Sequence, residues 1–350
     1  MSTITRNKSS KPRLTVKDLA RDLGMSVSTV SRAFHAEAVI AHDTRDLVLK
    51  RAREIGYTPN PFARSLITKR TRIVGVVVAD ITNPFYPEVL TRLTRALRDI
   101  DMNVMLVAAD RSGEIDEALR LLLNYQPDLA IILAATLPSE AAQECRKAGT
   151  PVIFFNRLSA DGHAFGVSCD NVLGGRSIAD FLIDSGHRHL AYIAALPDAS
   201  TNVARQGGFR ERAVERGLAT PPVIEAGQFS YHAGYQAAQK LRDLDRMPDG
   251  VFCANDILAV GFLDGVRREL GLGVPEDISI VGFDDIEMAH WPSHGLTTVQ
   301  QPIEQMLEAT ISLAKDLAAN SSQEPIVQLI PPGAVIERAT TRRRLYDQDA

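Results

Sequence analysis

The chain has 350 residues, of which 45% are hydrophobic and 23% are charged, and its formal net charge is -4. This length allows more than one domain, and the composition is that of an ordinary globular protein. No apolar run reaches the ~18 to 20 residues that a membrane-spanning helix needs. The first 13 residues are polar and basic and lack the apolar core of a secretory signal, so we expect a cytoplasmic protein.

The three cysteines are far apart and odd in number: Cys145, Cys169 and Cys253. No CxxC pair or Cys/His cluster accompanies them, and this pattern favours buried, reduced thiols over a disulfide or a metal site. We therefore expect neither a metal nor another cofactor.

The charges are distributed unevenly along the chain. Residues 1–72 contain 15 Lys and Arg against 6 Asp and Glu, whereas the remaining residues contain 24 against 37. A basic N-terminal segment on an acidic body suggests that only the first part binds a polyanion. A solvated basic tail would show the same imbalance, so charge alone leaves both interpretations open.

An amphipathic helix is predicted directly after Thr15. Thr15 and Asp18 have the spacing of a capping box, and Gly24 suits the left-handed position that follows a helix end. The apolar residues of this stretch fall on one face, at helical spacing: Val16, Leu19, Ala20 and Leu23.

Ser26 then begins a second short helix, with apolar residues on one side and polar residues on the other. Val30, Ala33 and Phe34 should face the first helix. The outward positions are Val27, Ser28, Ser31 and Arg32. Two short helices joined by a tight turn are typical of a helix-turn-helix, whose second helix enters the DNA major groove. An ordinary helical hairpin remains the alternative for residues 14–34 taken alone.

A third helix is predicted from His42 to Ile55, ending at Gly56. Its inward residues should be Leu47, Val48, Ala52 and Ile55. Asn60-Pro61 then starts the segment PFARSLI, which is too short to be a stable helix alone. The DNA minor groove could hold such a segment, with small Ala63 and apolar Leu66 against the bases.

The order of these elements resembles the LacI/GalR family of bacterial transcriptional regulators, and the resemblance covers residues 14–338. It rests on the stretches TVKDLARDLGMSVSTVSRAF, TRDLVLKRAREIGYTPNPFARSL and RIVGVVVADITNPFY. The resemblance implies that Val27 and Ser28 choose bases, that neighbouring polar residues anchor the helix, and that Leu66 is a minor-groove wedge. The predicted DNA-binding residues are Thr15, Ser26, Val27, Ser28, Thr29, Ser31, Arg32, Asn60, Ala63 and Leu66. Ala41 departs from the family's usual serine cap, and we expect Asp43 or Thr44 to take over.

From Arg72 onward, short apolar strands alternate with amphipathic helices. The predicted strands are IVGVVVA, NVMLVAA, LAIIL, PVIFFN, HLAYIAA, GVFCA and ISIVGF. This alternation predicts parallel sheets covered by helices, and there are too many units for one small sheet. The fold class is thus an all-α helix-turn-helix head with a hinge helix, followed by an α/β body of two parallel-sheet lobes.

Polar and aromatic residues lie just past the predicted strand ends. They are Asp80, Asn83, Phe85, Asn156, Arg157, Asp170, Asn171, Arg205, Phe229, Asn255, Asp256, Asp284 and Asp285. Ligands bind at this edge of parallel sheets, and such side chains suit a small polyhydroxylated molecule. The alternative is that these Asp and Asn side chains only cap the helices that follow. No GxGxxG motif follows a strand into a helix and no GxxxxGK[ST] loop is present, so the sequence does not support a dinucleotide or NTP site.

The body also resembles periplasmic sugar-binding proteins, with two lobes crossed by three chain segments and an effector between them. The carrying motifs are R-x-x-G-F at 205–209, Asn255-Asp256, and Gly-Phe-Asp-Asp at 282–285. The resemblance implies that Asn156, Arg205, Asn255 and Asp284 hydrogen-bond the effector and that Phe85 and Phe229 pack on it. Asn156 is often Asp in the family, and its amide can donate as well as accept. Trp291 either closes over the ligand or is structural.

The sequence has no catalytic motif of the GxSxG or HExxH type that would support an interpretation as an enzyme. His187 and His189 precede a strand and are expected to be surface or turn residues rather than metal ligands. Asp284 and Asp285 are adjacent and should point apart, so one of them should be structural.

The sequence therefore predicts five parts: a disordered basic arm (1–13), a helix-turn-helix domain (14–58), a hinge helix and linker (59–71), an effector-binding and dimerisation body (72–338) and a polar tail (339–350). The predicted function is a homodimeric repressor, nucleoid-associated when bound to a pseudo-palindromic operator, with a sugar or sugar acid as effector. Alternatives are control by a protein corepressor or by a non-sugar effector such as a purine. A solute-binding protein or an enzyme is more remote.

Overall fold

The computed structural model describes residues 14–35, 38–60, 65, 70–109, 114–133, 139–158, 164–319 and 324–342. The chain divides into two compact units, residues 1–71 and 72–350. The predicted arm, the hinge residues Ala63 and Leu66, and the last eight residues of the predicted tail lie outside the described part.

The described residues of the first unit form the helices α1 Val16–Asp22, α2 Val27–Ala33 and α3 His42–Ile55. The predicted capping box is confirmed, because Thr15 Oγ1 accepts from the Asp18 N–H and Asp18 accepts from the Thr15 N–H. Ser26 caps α2 by accepting from the Thr29 N–H at 3.1 Å. Gly24 and Gly56 have φ angles of 62° and 73°, the left-handed conformation predicted for both helix ends.

The core of this unit is formed by one face of each helix. Its buried residues are Leu19, Ala20, Val30, Ala33, Val48 and Ala52. Leu47 was expected to join them, but it is 49% exposed, so this prediction was wrong. It precedes Val48 by one residue, which rotates it by about 100° away from the face of Val48 and Ala52.

The beginning of α3 also differs from its prediction. Ala41 is the N-cap residue, and it makes no side-chain capping hydrogen bond. The helix begins at His42, so neither Asp43 nor Thr44 has become the cap. α3 therefore begins without a side-chain cap, and the burial of Val48 and Ala52 against neighbouring helices stabilises it.

The described strands of the body are β1 Ile73–Ala79, β2 Asn103–Ala109, β3 Leu129–Leu133, β4 Val152–Phe155, β5 Phe165–Cys169, β6 Leu190–Ala194, β7 Val223–Glu225, β8 Gly250–Cys253, β9 Ser279–Val281, β10 Thr298–Val299, β11 Val327–Ile330 and β12 Val335–Ile336. They form a parallel six-stranded sheet in the order β11-β5-β4-β3-β1-β2 and a parallel four-stranded sheet in the order β7-β6-β8-β9. An antiparallel pair, β10 and β12, completes the sheets of the described residues.

Helices connect and cover these strands, as expected for parallel sheets. They are α4 Phe85–Asp99, α5 Glu114–Leu123, α6 Ser139–Lys147, α7 Asn171–Asp184, α8 Ser200–Glu215, α9 Tyr231–Gln239, α10 Asp256–Gly265, α11 Glu287–His290 and α12 Ile303–Ala319, with a 3-10 turn at Lys240–Asp243 and a π-helical turn at Val266–Leu270. The chain passes between the two lobes three times: from β5 to α7, from β10 to α12, and from β11 to β12. α12 packs on β4, β5 and α4 in the six-stranded lobe. The predicted α/β body of two parallel-sheet lobes is confirmed.

All seven predicted strands are present, with ends shifted by at most two residues. β5, β7 and β10 to β12 were not predicted. β7, β10 and β12 have only two or three residues, β5 contains Gly and Ser, and β11 alternates exposed with half-buried residues, so these strands lack a continuous apolar run.

The three cysteines are buried and unbonded, as predicted. Burial raises the pKa of the Cys145 thiol to about 11 and that of Cys169 to about 12. Within the described residues, no helix has the length and apolar character required to span a membrane.

Candidate functional site

The outer face of α2 carries the side chains that were predicted to contact DNA. Val27 is 40% exposed, and Ser28 and Arg32 are also exposed, whereas Thr29 and Ser31 are half-buried. Between them these side chains offer hydroxyls, a guanidinium and a methyl surface, which suit phosphates, guanine edges and thymine methyl groups.

Ser26 organises the beginning of this face. Its Oγ lies 2.9 Å from the Oγ of Ser28 and 2.8 Å from the Oγ1 of Thr29. A capping residue thereby orients two of the predicted DNA-contacting hydroxyls. Thr15 caps α1 in the same way. Asn60, which follows α3 in the chain, is exposed.

The two acidic residues of α1, Asp18 and Asp22, are engaged by basic partners. Arg51 binds Asp22, and this hydrogen-bonded pair lowers the pKa of the Asp22 carboxyl. Arg21 lies 3.4 Å from Asp18, whose pKa is lowered mainly by its hydrogen bond with Thr15. The α2 sequence VSTVSRA contains no acidic residue, so no negative charge from α2 itself opposes a phosphate backbone.

In the body, five buried polar residues from separate segments form one hydrogen-bonded group, which we call the cleft cluster. They are Asn171, Arg205, Asn255, Asp284 and Gln301. Three of them were predicted effector-binding residues. Four of them follow a strand end or lie close to a crossing between the lobes, and Arg205 lies in α8, which packs on α7.

Arg205 lies at the centre of the cleft cluster and is 2% exposed. Its Nε donates to Asn171 Oδ1 at 2.8 Å, one terminal nitrogen donates to the carbonyl of Ala254 at 2.6 Å, and the other lies 3.4 Å from Asp284 Oδ1. The guanidinium also stacks on the Phe283 ring, 3.8 Å from its centroid. Backbone, amide, carboxylate and ring therefore hold the charge in one orientation.

Asp284 accepts hydrogen bonds from Gln301 Nε2 at 2.7 Å and from Asn255 Nδ2 at 3.4 Å. Burial raises its pKa, while the charge of Arg205 opposes the rise. Asp256 is fully buried and accepts from Thr298 Oγ1 and from the Ile286 N–H. Burial raises the pKa of Asp256 to about 7, and the charge of Asp284 adds to this rise.

Two strand-end residues do cap helices, as the alternative interpretation proposed. Asn255 Oδ1 accepts from the Leu258 N–H at 3.2 Å, and Asp170 Oδ1 accepts from the Leu173 N–H at 2.9 Å. Asn255 also donates to Asp284, so one side chain both caps α10 and belongs to the cleft cluster.

Asn156 follows β4 with a φ of 68°, a left-handed conformation that Asn tolerates better than most residues. It is 4% exposed, and its Oδ1 has no hydrogen-bond partner among the described residues. Its carbonyl accepts from Ser168 Oγ, which in turn accepts from the Asn171 amide. Asn156 therefore adjoins the cleft cluster through its backbone.

The predicted aromatic residues occupy different environments. The Arg157 guanidinium lies 4.6 Å from the centroid of the Phe229 ring. Phe85 is 2% exposed in the main core and packs edge-on against Tyr86. Trp291 is 45% exposed and stacks on His294. Among the described residues, no hydrogen bond, ion pair or ring contact joins the side chain of Phe85 or Trp291 to the cleft cluster.

The two adjacent acids, Asp284 and Asp285, have separate environments, as predicted. Asp285 binds Arg338 at 2.6 Å, lies 3.1 Å from His290 Nε2 and accepts from Gln300. It therefore ties three segments of the body together, whereas Asp284 belongs to the cleft cluster.

The expectation that His187 lies at the surface or in a turn was wrong, because its side chain is completely buried. Its Nδ1 donates to the Leu182 carbonyl at 2.9 Å, and its Nε2 accepts from Ser279 Oγ at 2.8 Å. Ser279 comes from β9, a distant strand, so the sequence around His187 carried no sign of this pairing.

Gln301 was not predicted as part of the site, and Asn171 was predicted only as a strand-end residue. Gln301 follows β10, Thr298–Val299, which was not predicted. This strand is only two residues long, is half polar and lies well after the Gly-Phe-Asp-Asp motif, so no local pattern pointed to Gln301. Phe283, which lies within that motif, faces Arg205 rather than solvent.

Comparison with family models identifies both units. Residues 15–60 match the model of bacterial regulatory proteins of the lacI family. Residues 179–341 match the periplasmic binding protein-like domain.

Three related transcriptional regulators are similar to this chain over most of its length. Catabolite control protein A of Priestia megaterium is 31% identical, covering 90% of this chain and 96% of that protein. The transcriptional repressor CytR of Escherichia coli is also 31% identical, covering 82% of this chain and 85% of that protein. Transcriptional regulator CelR of Thermobifida fusca is 32% identical, covering 90% and 94%.

Solved structures show the same architecture. The Lac repressor dimer bound to operator and an anti-inducer has a TM-score of 0.84 over 95% of this chain and all of that chain, at 23% identity, and this likeness concerns the fold. The CelR–cellobiose complex has a TM-score of 0.70 at 27% identity, over 94% of this chain and all of that chain. The chain therefore belongs to the lacI family of bacterial regulatory proteins and is a DNA-binding transcriptional repressor of that family.

Proposed function

We propose that this chain binds a pseudo-palindromic operator as a homodimer, each protomer placing α2 in the major groove. The exposed face of α2 supports this, because its hydroxyl and guanidinium groups are oriented by the Ser26 cap. A two-fold protein matches a two-fold site in DNA, with one head for each half-site.

Within each half-site, Val27 and Ser28 choose bases, and Thr29, Ser31 and Arg32 bind backbone and base edges. Thr15, Ser26 and Asn60 support phosphate contacts, and Ala63 and Leu66 enter the minor groove at the operator centre. Apolar wedges between base steps kink the duplex, and the sequence-dependent cost of the kink adds specificity.

The effector is a small polyhydroxylated molecule, a sugar or sugar acid, that binds between the lobes of the body. The observation that carries this proposal is the cleft cluster, in which Arg205, Asn255 and Asp284 converge from three segments although all are buried. Asn156, Phe85, Phe229 and Trp291 are assigned to the same site by resemblance. Two solved relatives hold cellobiose and ribose.

Effector binding changes the angle between the lobes and thereby the order of the hinge residues 59–71. An equilibrium between ordered and disordered hinges is the two-state element that both ligands bias. Effector and operator must then alter each other's affinity by the same factor.

The wedge assignment is tested with Leu66→Ser. Specific operator binding should weaken by about tenfold or more while non-specific binding at the same salt concentration stays unchanged, because only the kinked site uses the wedge. An equal loss for both DNAs in a salt-matched titration contradicts the wedge.

The effector assignment is tested with Asp284→Ala and the milder Asp284→Asn in a reporter assay. Both variants should repress without responding to inducer, because Asp284 is assigned to the effector and not to DNA. A normal inducer response contradicts the cleft assignment. A thermal-shift screen with sugars, sugar acids and purines separates a sugar from a purine effector, and stabilisation by none of them favours a protein corepressor.

A further inference from the structure

The chain that follows α2 is held by an arginine of α3. The α2 helix ends at Ala33, and Phe34 is its C-cap residue. The half-buried side chain of Arg45 reaches back to this end of α2. Its Nη2 donates to the His35 carbonyl at 2.9 Å and to the Ala38 carbonyl at 2.8 Å. One guanidinium nitrogen therefore bridges two backbone carbonyls just past the end of the helix.

The backbone at this point is also hydrogen-bonded to α2 itself. The His35 N–H donates to the Arg32 carbonyl at 3.0 Å, and the Ala38 N–H donates to the His35 carbonyl at 3.2 Å. The His35 carbonyl thus accepts from both the backbone and the guanidinium of Arg45. Because Arg32 is one of the residues assigned to DNA, the held segment begins within the α2 face.

The position of Arg45 in its own helix is unfavourable for a cation. Arg45 is the fourth residue of α3, close to the end where the helix dipole is positive. The two carbonyls that it binds follow the opposite, negative end of α2, where carbonyls lack partners inside the helix. Hydrogen bonds from a charged donor are roughly twice as strong as neutral ones. The end of α2 therefore supplies the electrostatic partner that α3 does not offer.

The α2 helix needs such support because it has only seven residues, too few to hold a direction alone. Ser26 caps its beginning. At its other end the Phe34 ring packs edge-on against Tyr57, with centroids 5.6 Å apart. Arg45 adds the hydrogen bonds at that end.

A second arginine of α3 holds the other preceding helix. Arg51 Nη2 donates at 3.1 Å to Oδ1 of Asp22, the last residue of α1. This pair joins two partly exposed side chains, which can move without displacing a helix. Arg45 instead binds backbone carbonyls, so its contacts act directly on the course of the chain at the end of α2.

We propose that Arg45 is a positioning residue for operator recognition. By holding the His35 and Ala38 carbonyls, it fixes the end of α2 and thereby the angle at which the α2 face meets the base edges. Arg45 itself contacts neither base nor phosphate. Binding groups have to be held within about 0.5 Å of their productive geometry, so a loosened α2 loses specificity before it loses affinity for DNA in general. This inference rests on the proposed placement of α2 in the major groove.

The experiment uses the full-length protein and an operator obtained by in vitro selection from random DNA duplexes. Arg45→Met keeps the apolar stem and removes the donors, so the ratio of specific to non-specific affinity should fall by about tenfold or more. Arg53→Met is the matched control, because it removes the same charge from the same helix. Arg53 donates within α3, to the Leu49 carbonyl, and its loss should leave the ratio at the wild-type value.

Salt titration separates positioning from a direct contact with DNA. The dependence of non-specific affinity on salt concentration should be the same for Arg45→Met and Arg53→Met. A slope of log affinity against log salt that is smaller by about one for Arg45→Met alone would reveal a phosphate contact and contradict the proposal.

Arg45→Lys keeps a charged donor but lacks the planar fork of arginine, so its ratio should lie between those of Arg45→Met and wild type. Circular dichroism and thermal melting show which variants fold. A wild-type ratio in folded Arg45→Met contradicts the proposal, and if that variant does not fold, a wild-type ratio in Arg45→Lys does so. Val27→Ala tests the α2 placement separately: if selection with this variant yields the wild-type operator sequence at every position, the proposed docking of α2 is itself wrong.

Discussion

The DNA-contacting face of α2 and the cleft cluster are built in opposite ways. On α2, the side chains assigned to DNA lie within seven consecutive residues and face outward from a core of Leu19, Val30 and Val48. In the cleft cluster, the five side chains come from segments spread over 130 positions, from Asn171 to Gln301, and are almost completely buried.

This difference determines what each region needs from the rest of the molecule. The α2 face requires only a correctly capped and packed helix, because exposed side chains adjust to their ligand. The cleft cluster requires every partner, because a buried charge that loses its ion-pair partner cannot be solvated by water instead. Substitutions should therefore affect recognition alone on α2, but both stability and the effector response in the cleft cluster.

The largest effect is expected for Arg205→Met. This change leaves Asp284 buried without its cation, so the free energy of unfolding of the body should fall by about 3 to 5 kcal/mol in urea titration. Arg176→Met is the matched control, because Arg176 pairs with Glu215 at the surface, where solvent screens the pair, so the loss of stability should be much smaller. If the two variants lost equal free energy of unfolding, the buried cluster would be no more sensitive to substitution than the exposed surface.

A smaller effect, on recognition alone, is expected for Arg32→Ala. Specific operator binding should weaken by about 1 to 3 kcal/mol, the usual contribution of a side chain that contacts a base, with no loss of folding stability. Operator titration and thermal melting of the same preparation measure both quantities. Lys17→Ala, on the exposed side of α1, serves as the charge-matched control. A fall in melting temperature without loss of specificity would mean that Arg32 is structural.

The third prediction concerns pH and Asp256. Its folded pKa of about 7 lies above the ordinary value of 3.8, so the folded state holds the proton more tightly. Its contribution to stability is present below about pH 4 and is lost as the pH rises through 7, at no more than about 1.4 kcal/mol per pH unit. Asp256→Asn should remove this loss, so stability relative to wild type should rise between pH 5 and pH 8.

Urea titrations at four pH values measure this difference, with Asp316→Asn on the exposed side of α12 as control. If the difference in unfolding free energy between wild type and Asp256→Asn did not change with pH over this range, the folded and unfolded states would bind the Asp256 proton equally tightly.

The smallest effect is expected for Ala41→Ser. Ala41 caps α3 without a side-chain hydrogen bond, and a serine there should stabilise the first unit by about 1 kcal/mol. Thermal melting of the full chain, followed by helical signal, measures this gain. Ala38→Ser, which precedes the helix without capping it, should have no such effect. A destabilised Ala41→Ser would mean that packing, rather than capping, limits α3.

Much of the fold could be predicted because it depends on local patterns. The capping pair Thr15 and Asp18, the stop at Gly24 and the continuous apolar strands are determined by neighbours in sequence. The exposed Leu47 was misassigned because an apolar residue next to an apolar face carries no local sign of its direction. His187 was misassigned because its partner, Ser279, is 92 residues away.

The sequence by itself determined the class of this protein, since the order of capped helices, hinge and alternating strands is a pattern of near neighbours. It also named Arg205, Asn255 and Asp284 as belonging to one site. Only the tertiary structure decided that Gln301 joins them and that Asp285 instead binds Arg338. The physical reason is that hydrogen bonds between distant segments depend on how the strands are ordered in space, and residue spacing along the chain does not encode that order.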